Sequence, residues 1–163
     1  MRSRTVKWDD PVATLALVAD LSGLEAMRAV MRGDVPPPPI ALTLGFEIDS
    51  VDEGRVVFAM DPAEHLYNPI GSVHGGVAAT LLDSAMGCAV HTLLPAGAAY
   101  STLEIKVNYI RPMTRDTGRV VCEATVLHAG RTSAVAEGRM IVEATGKLLA
   151  VGSTTCAIVR PPA

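Results

Sequence analysis

The sequence predicts one domain of the α+β class, with a long central helix wrapped by a curved antiparallel sheet and an extra N-terminal helix. Three observations support this fold class. The segment from Gly75 to Leu94 is apolar on every side, as a helix enclosed by other elements must be. Strand-like segments flank it and are joined by short glycine-containing turns, which favour antiparallel pairing. A chain of 163 residues is sized for a single domain.

The composition excludes some classes of function. Hydrophobic residues make up 49% of the chain and charged residues 19%, which is typical of a globular protein with a large core. The net charge of −3 gives no basic surface for nucleic acid. No apolar run is long enough for a membrane span, and Asp9 and Asp10 interrupt the position where a signal peptide would be apolar. We therefore expect a cytoplasmic protein with no nucleic-acid or membrane partner.

The first residues are predicted to form an accessory segment. Asp10-Pro11 is typical of a helix start, with Asp as the cap and Pro at the first helical position. Apolar residues then recur at spacings of three and four, which predicts an amphipathic helix with a break near Gly23 and an end near Gly33. The prolines at 36–39 predict a stiff extended connector. The chain thus divides into two parts: the helical extension and connector, 1–39, and the main domain, 40–163.

Six strands are predicted in the main domain, two before the long helix and four after it. They cover Ala41–Asp49, Arg55–Asp61, Ser101–Arg111, Gly118–His128, Thr132–Glu143 and Leu148–Val159. The third strand alternates between apolar and polar residues, which predicts two distinct faces. One face carries Leu103, Ile105, Val107 and Tyr109, and the other carries Thr102, Glu104, Lys106 and Asn108.

Asp83 lies in the middle of the long helix, which contains no Lys, Arg or Glu. A carboxylate in apolar surroundings costs several kcal/mol unless it is paired or takes up a proton. Such a group is a candidate catalytic residue. The alternative is a structural role, on a helix face that contacts solvent or in a hydrogen bond to a loop.

The helix begins with Gly75 and Gly76, whose backbone N–H groups no side chain shields. A helix N-terminus of this kind binds anions and carbonyl oxygens that are becoming negative. Asp83 is eight residues further on, roughly 12 Å along a helix. This distance is too long for the Gly75 N–H and the Asp83 carboxylate of one chain to act on the same small carbonyl. If both act, Asp83 must come from a neighbouring subunit at a two-fold interface.

Other candidate groups carry weaker signals. His74 precedes the glycine pair and either takes part in catalysis or holds the loop by a hydrogen bond; no second His or Cys nearby suggests a triad or a metal site. The three cysteines occur singly in apolar stretches and are expected to be buried thiols. They are Cys88, Cys122 and Cys156.

The motif Asn68-x-x-Gly71-x-x-His74-Gly75-Gly76 is followed by Asp83 on the helix and then by Thr102 to Pro112 on the alternating strand. Together these three segments resemble the PaaI-like acyl-CoA thioesterases of the phenylacetate pathway, which have the hotdog fold. The resemblance covers about 41–159, and the N-terminal extension lies outside it. It implies hydrolysis of an aromatic or fatty acyl-CoA, with no metal and no cofactor beyond the CoA of the substrate. It also implies a homo-oligomer with shared sites, either a dimer or a dimer of dimers, that is, a homotetramer.

The resemblance also implies a role for each matching residue. The Gly75 N–H would polarise the thioester carbonyl, and the partner's Asp83 would activate water as a general base or attack directly as a nucleophile. Asn68 would orient substrate or water, and the Thr102 hydroxyl would lie near the carboxylate. Asn68 is also a good turn residue before proline, and Thr102 an ordinary strand residue. Candidates for contacts with the substrate and CoA are Gly76, Arg111, Arg115, Arg131 and Thr132.

Two alternatives to hydrolysis remain. One is a hotdog dehydratase for hydroxyacyl thioesters, whose chemistry uses a catalytic His. The other is a non-catalytic acyl-CoA-binding module. The joint presence of Asn68, Gly75 and Asp83 favours the hydrolase over the binding module.

Overall fold

A computed structural model describes residues 1–160. Its elements, in chain order, are α1 (Pro11–Ala16), α2 (Gly23–Arg32), α3 (Pro39–Leu44), β1 (Phe46–Asp52), β2 (Arg55–Met60), α4 (Gly75–His91), β3 (Ala99–Tyr109), β4 (Val120–Ala129), β5 (Ser133–Val142) and β6 (Leu148–Val159). Two short 3-10 turns lie at Glu64–Leu66 and Arg115–Thr117. None of the helices in this part of the chain is long and apolar enough to cross a membrane.

The six strands form one antiparallel sheet in the order β1-β2-β4-β5-β6-β3, and α4 packs against its inner face. The apolar residues of α4 make up the centre of the core. Leu81, Leu82, Ala85, Met86, Ala89 and Val90 are completely inaccessible to solvent. The α+β prediction of a central helix, a curved antiparallel sheet and an N-terminal helical part is therefore confirmed.

The sheet leaves one stripe of α4 uncovered, while the other sides of the helix are enclosed as expected. The half-exposed residues of α4 recur at three- and four-residue spacings and share one side of the helix. They are Ala79, Thr80, Asp83, Ser84, Cys88 and His91. The stripe is mostly small or apolar, which is why the sequence does not distinguish it from the core. It carries the candidate carboxylate.

The N-terminal segment forms two separate helices, α1 and α2, and the second begins at Gly23, where a break was predicted. Asp10 caps α1 as predicted, but the helix ends at Ala16 after less than two turns. Ser22 then starts α2 with a capping box, in which its hydroxyl accepts from the Glu25 N–H while the Glu25 carboxylate accepts from the Ser22 N–H. Gly33 ends α2 in the left-handed conformation, at the predicted position. The division of the chain between residues 39 and 40 stays a prediction.

The first predicted strand is wrong over its N-terminal half. Residues Pro39–Leu44 form α3, and β1 begins only at Phe46. The alternation of apolar residues at 40, 42 and 44 looks like a strand in sequence. Pro39 presets the first helical turn and Gly45, at φ +80°, closes the helix in a conformation that other residues rarely adopt. Pro38, directly before α3, is extended as predicted, whereas Pro39 is the first residue of the helix.

A β-bulge changes the faces of β3. Thr102 pairs with Cys156 while Glu104 pairs with Thr155, so Leu103 is an extra residue on this strand. Leu103 consequently points to solvent, 66% exposed, although the alternation placed it with the apolar face. Thr102 lies instead on the side that faces α4. The sequence alone cannot show this bulge, since it is defined by the pairing with β6.

Candidate active site

The side chains of Asp83 and Thr102 are in contact at the uncovered stripe of α4. The Thr102 Oγ1 donates a hydrogen bond of 2.9 Å to Asp83 Oδ1. The two residues line up only because the bulge at Leu103 turns Thr102 toward the helix. The carboxylate borders a cavity that is lined mainly by apolar side chains. A carboxylate held by one hydroxyl and facing such a cavity is suited to accept a proton from a bound water.

Tyr100, which the sequence did not single out, packs beside Asp83. Its ring lies over Gly87, where an added Cβ would come within 2.5 Å of the tyrosine ring. A glycine in the middle of an otherwise regular helix was the available signal, because it marks a close approach of another group. Burial raises the pKa of the Tyr100 phenol, and the neighbouring Cys88 and Asp83 add to the increase. Tyr100 is therefore a neutral neighbour of the carboxylate.

The cysteines near Asp83 are protonated thiols. Burial raises the pKa of Cys88 to about 12, an effect that the nearby Tyr100 hydroxyl opposes and the charge of Asp83 reinforces. Burial also raises the pKa of Cys156. A thiol is a weak nucleophile until it ionises, so these residues are unsuited to attack a thioester near neutral pH. Among residues 1–160 no group of three or more His, Cys, Asp or Glu could hold a metal ion.

The N-terminus of α4 is held by His74. The His74 Nδ1 accepts the Gly76 N–H at 2.9 Å, and the His74 carbonyl accepts the Val77 N–H. The Gly75 N–H has no acceptor in the part of the chain that the structure describes. Gly75 therefore offers a backbone donor for a ligand, while the structure gives His74 a helix-capping position and Gly76 an N–H that is already engaged.

Asn68 organises the turn before α4. Its Oδ1 accepts the N–H groups of Ile70 and Ser72, and its Nδ2 donates to Ser72 Oγ at 3.1 Å. Both ends of the amide are thus used within residues 68–72. This arrangement fixes the loop that leads to Gly75, and it corresponds to the turn interpretation of Asn68.

The two candidate centres lie at opposite ends of β3. Thr102, near the start of the strand, contacts Asp83, whereas Tyr109, at its end, lies over Gly75. An added Cβ on Gly75 would come within 3.3 Å of the Tyr109 ring. Within one chain, therefore, the structure does not bring the Gly75 N–H and the Asp83 carboxylate to one small carbonyl.

The candidate cations also fail to converge within one chain. Arg111 follows β3 at the Gly75 end and donates to the Leu148 carbonyl at 2.7 Å. Arg131 and Thr132 are exposed in the β4–β5 turn, next to the other end of the sheet, where Ile158 pairs with Thr132. Arg115 forms ion pairs with Glu64 and Asp116.

The sequence is similar to a known protein family and to several named relatives. The family model described as "Thioesterase superfamily" matches residues 70–149. Acyl-coenzyme A thioesterase 13 of Homo sapiens is 33% identical over 132 residues, which cover 80% of this chain and 93% of the relative. The 1,4-dihydroxy-2-naphthoyl-CoA hydrolase of Listeria monocytogenes is 30% identical, covering 71% and 92%. The chain belongs to the Thioesterase superfamily.

A solved structure leads to the same family. A phenylacetic acid degradation-related protein from Ralstonia eutropha JMP134 is 30% identical and superposes with a TM-score of 0.72, covering 80% of this chain and 98% of that one. The predicted membership of the PaaI-like hotdog thioesterases is confirmed, and the protein is a thioester hydrolase.

Thr102→Val tests the hydrogen bond to Asp83 within this thioesterase. Valine keeps the shape and strand propensity of threonine but cannot donate, so we expect kcat to fall about tenfold, which corresponds to about 1.4 kcal/mol, within the range of one hydrogen bond. Stopped or continuous assays of thiol release measure the effect. Thr125→Val, on β4 away from the cavity, is the matched control and should leave the rate within twofold, about the scatter of a surface substitution. Equal rates for wild type and Thr102→Val would show that the hydroxyl does not support the carboxylate.

Proposed function

We propose that the protein hydrolyses an acyl-CoA thioester to the free acid and CoA at a site shared between two subunits. The observation that carries this proposal is the position of Asp83, hydrogen-bonded by Thr102 at the edge of a largely apolar cavity. Such an arrangement presents a proton acceptor to water beside a place for an acyl group. The CoA hydrolases among the relatives support the choice of thioester.

In the proposed reaction, Asp83 takes a proton from water as the water oxygen attacks the thioester carbon. The carbonyl oxygen becomes negative and is stabilised by the Gly75 N–H of the other subunit, assisted by the positive end of α4. The tetrahedral intermediate then collapses, the C–S bond breaks, and the proton passes to the departing sulfur. Direct attack by Asp83 is the alternative route; it forms a mixed anhydride with loss of CoA thiolate, and water then hydrolyses the anhydride.

The sharing of sites is supported by the edge of the sheet. β3 is an edge strand of 11 residues, hydrogen-bonded only to β6 among the described strands, and long uncovered edges are usually paired or protected. Antiparallel pairing of two β3 edges about a two-fold axis would set the Thr102 end of one strand beside the Tyr109 end of its partner. Asp83 of one subunit would then approach Gly75 of the other.

The same pairing supports substrate binding by residues from both subunits. Arg111 lies at the Gly75 end and Arg131 at the Thr102 end, so cations from both subunits would flank one shared site. We propose that Arg111, Arg131 and Thr132 contact the phosphates and nucleotide of CoA. Asn68 positions the loop that carries Gly75, and His74 fixes the helix start. Location in the cytoplasm and assembly of dimers into a homotetramer belong to this proposal too.

Thiol release is the direct test of the proposed function. Purified protein mixed with an acyl-CoA panel and a thiol reagent is expected to produce one thiol per acyl group, with saturation kinetics and no added metal. The panel should include butyryl-, decanoyl- and phenylacetyl-CoA. Calorimetric binding of these compounds without any thiol release would favour the binding module and contradict hydrolysis.

A further inference from the structure

The cavity beside Asp83 has a wall that comes from outside the segment that matches the family model. Its volume is about 970 Å³. Its floor is the uncovered stripe of α4 from Asp83 to His91, and β1 and β2 contribute Phe46, Ile48, Phe58 and Met60. The opposite wall consists of α2 and the proline segment, with Met27, Val30, Met31 and residues 36–39. We call this part, residues 23–39, the N-terminal wall.

The N-terminal wall is firmly docked. The Gly23 N–H donates a 3.0 Å hydrogen bond to the carbonyl of Leu94, just beyond α4. A Cβ on Gly23 would lie 1.8 Å from the His91 carbonyl oxygen, so α2 reaches this position only because residue 23 is glycine. On α2 itself, Ala26, Met27 and Ala29 are buried. The wall is therefore part of the folded body and can define the shape of the cavity.

The chemistry of the cavity suits an apolar ligand. Leu15, Met31 and Ile40 at its rim are 67%, 41% and 47% exposed, and the chain up to residue 160 does not cover them. Apolar groups left open beside a cavity are typical of a binding site for an apolar ligand. At the far end of the floor, burial lowers the pKa of His91, which keeps its imidazole neutral near pH 7. The methionines in the wall adapt readily to flexible chains.

We propose that this cavity is the acyl subsite and that the N-terminal wall sets the length of chain it accepts, with Val30 as a specificity-determining residue. The inference rests on the proposed acyl-CoA hydrolysis. It implies that the subunit that supplies Asp83 also binds the acyl chain, while its partner supplies Gly75. The thioester lies at Asp83, and the chain extends along α4 toward His91.

The length of the floor identifies the substrate class. Asp83 and His91 are eight residues apart, roughly 12 Å along the helix. An extended alkyl chain advances about 1.25 Å per carbon, given C–C bonds near 1.5 Å and near-tetrahedral angles. The subsite therefore accommodates a medium-chain acyl group of about ten carbons, by these same dimensions.

Val30→Trp tests the inference by filling the cavity from the wall. The measured quantity is the ratio of kcat/KM for decanoyl-CoA to that for butyryl-CoA. We expect the wild-type protein to prefer decanoyl-CoA to both butyryl-CoA and phenylacetyl-CoA. Val30→Trp should lower the ratio at least about tenfold, because each methylene group excluded from an apolar pocket lowers kcat/KM by about that factor. Val30→Phe adds a smaller ring and should give an intermediate ratio, which guards against loss of folding in the larger variant.

Arg28→Trp is the matched control. Arg28 lies on the same helix but is exposed and does not line the cavity, so this variant should keep the wild-type ratio. Circular dichroism and thermal unfolding of all the variants verify that α2 remains docked. An unchanged ratio in both Val30 variants, or a wild-type preference for phenylacetyl-CoA, would overturn the acyl-subsite inference while hydrolysis itself stands. Absence of thiol release from every acyl-CoA would instead contradict the proposed function.

Discussion

Replacement of Asp83 by asparagine is expected to lower kcat by about a hundred- to ten-thousandfold, the range over which general acid–base groups contribute. Asparagine has nearly the same shape as aspartate and can still accept the Thr102 hydrogen bond through its carbonyl oxygen. It cannot take a proton from water or attack a thioester at a useful rate. Loss of turnover with little change in substrate affinity is therefore the expected pattern, and steady-state thiol release measures it.

The matched control is Asp20→Asn. Asp20 is exposed in the segment between α1 and α2 and does not border the cavity, so the same chemical change there should leave kcat and KM at their wild-type values. Circular dichroism and thermal unfolding of both variants separate catalysis from folding. Wild-type turnover by a folded Asp83→Asn protein would eliminate Asp83 as base or nucleophile.

The sequence is informative where structure follows local rules. The cap of α1, the end of α2 at Gly33, the start of α4 and the bounds of β6 agree with the predictions because caps, glycines and apolar periodicity act within a few residues. The segment at Pro39–Leu44 shows the limit of these rules. Its alternating apolar residues fit a strand and its terminal proline and glycine fit a helix, and only the surrounding structure decides between them.

For the candidate site, sequence reasoning located the carboxylate and the helix start, and the family resemblance placed the Thr102 hydroxyl near the carboxylate, but the structural cause of that contact and the other neighbours were not foreseen. The Thr102 side chain reaches Asp83 because β3 has a bulge at Leu103, which depends on pairing with β6. Tyr100 and Tyr109 were missed because each is an unremarkable strand residue whose partner is a glycine on a distant element. The N-terminal wall was treated as an accessory for the same reason, since its contact with α4 is a long-range one.

Replacement of Gly75 by proline should lower kcat about a hundred- to a thousandfold, because it deletes one backbone N–H proposed to stabilise the oxyanion. The local backbone accepts this change. Gly75 is the first residue of α4, where proline is favoured, and His74 has φ −60° and ψ 135°, as a residue before proline requires. No hydrogen bond within residues 1–160 is lost, since the Gly75 N–H has no acceptor there.

Gly75→Ala is the control for the added side chain. Its Cβ would lie 3.3 Å from the Tyr109 ring, as the proline Cβ also would, but the alanine keeps its N–H. We therefore expect alanine to retain most of the turnover that proline removes. Equal losses in the two variants would attribute the effect to crowding against Tyr109, and the proposed oxyanion role would be abandoned.

Mixing the two inactive variants distinguishes a shared site from one within a single chain. In a dimer of one Asp83→Asn chain and one Gly75→Pro chain, one site receives both defects and the other receives neither. Random exchange of subunits should therefore restore about a quarter of wild-type turnover, since half of the dimers are mixed and each has one intact site of two. If each chain contained a complete site, every site in the mixture would carry one defect, and turnover would stay at the level of the separate variants.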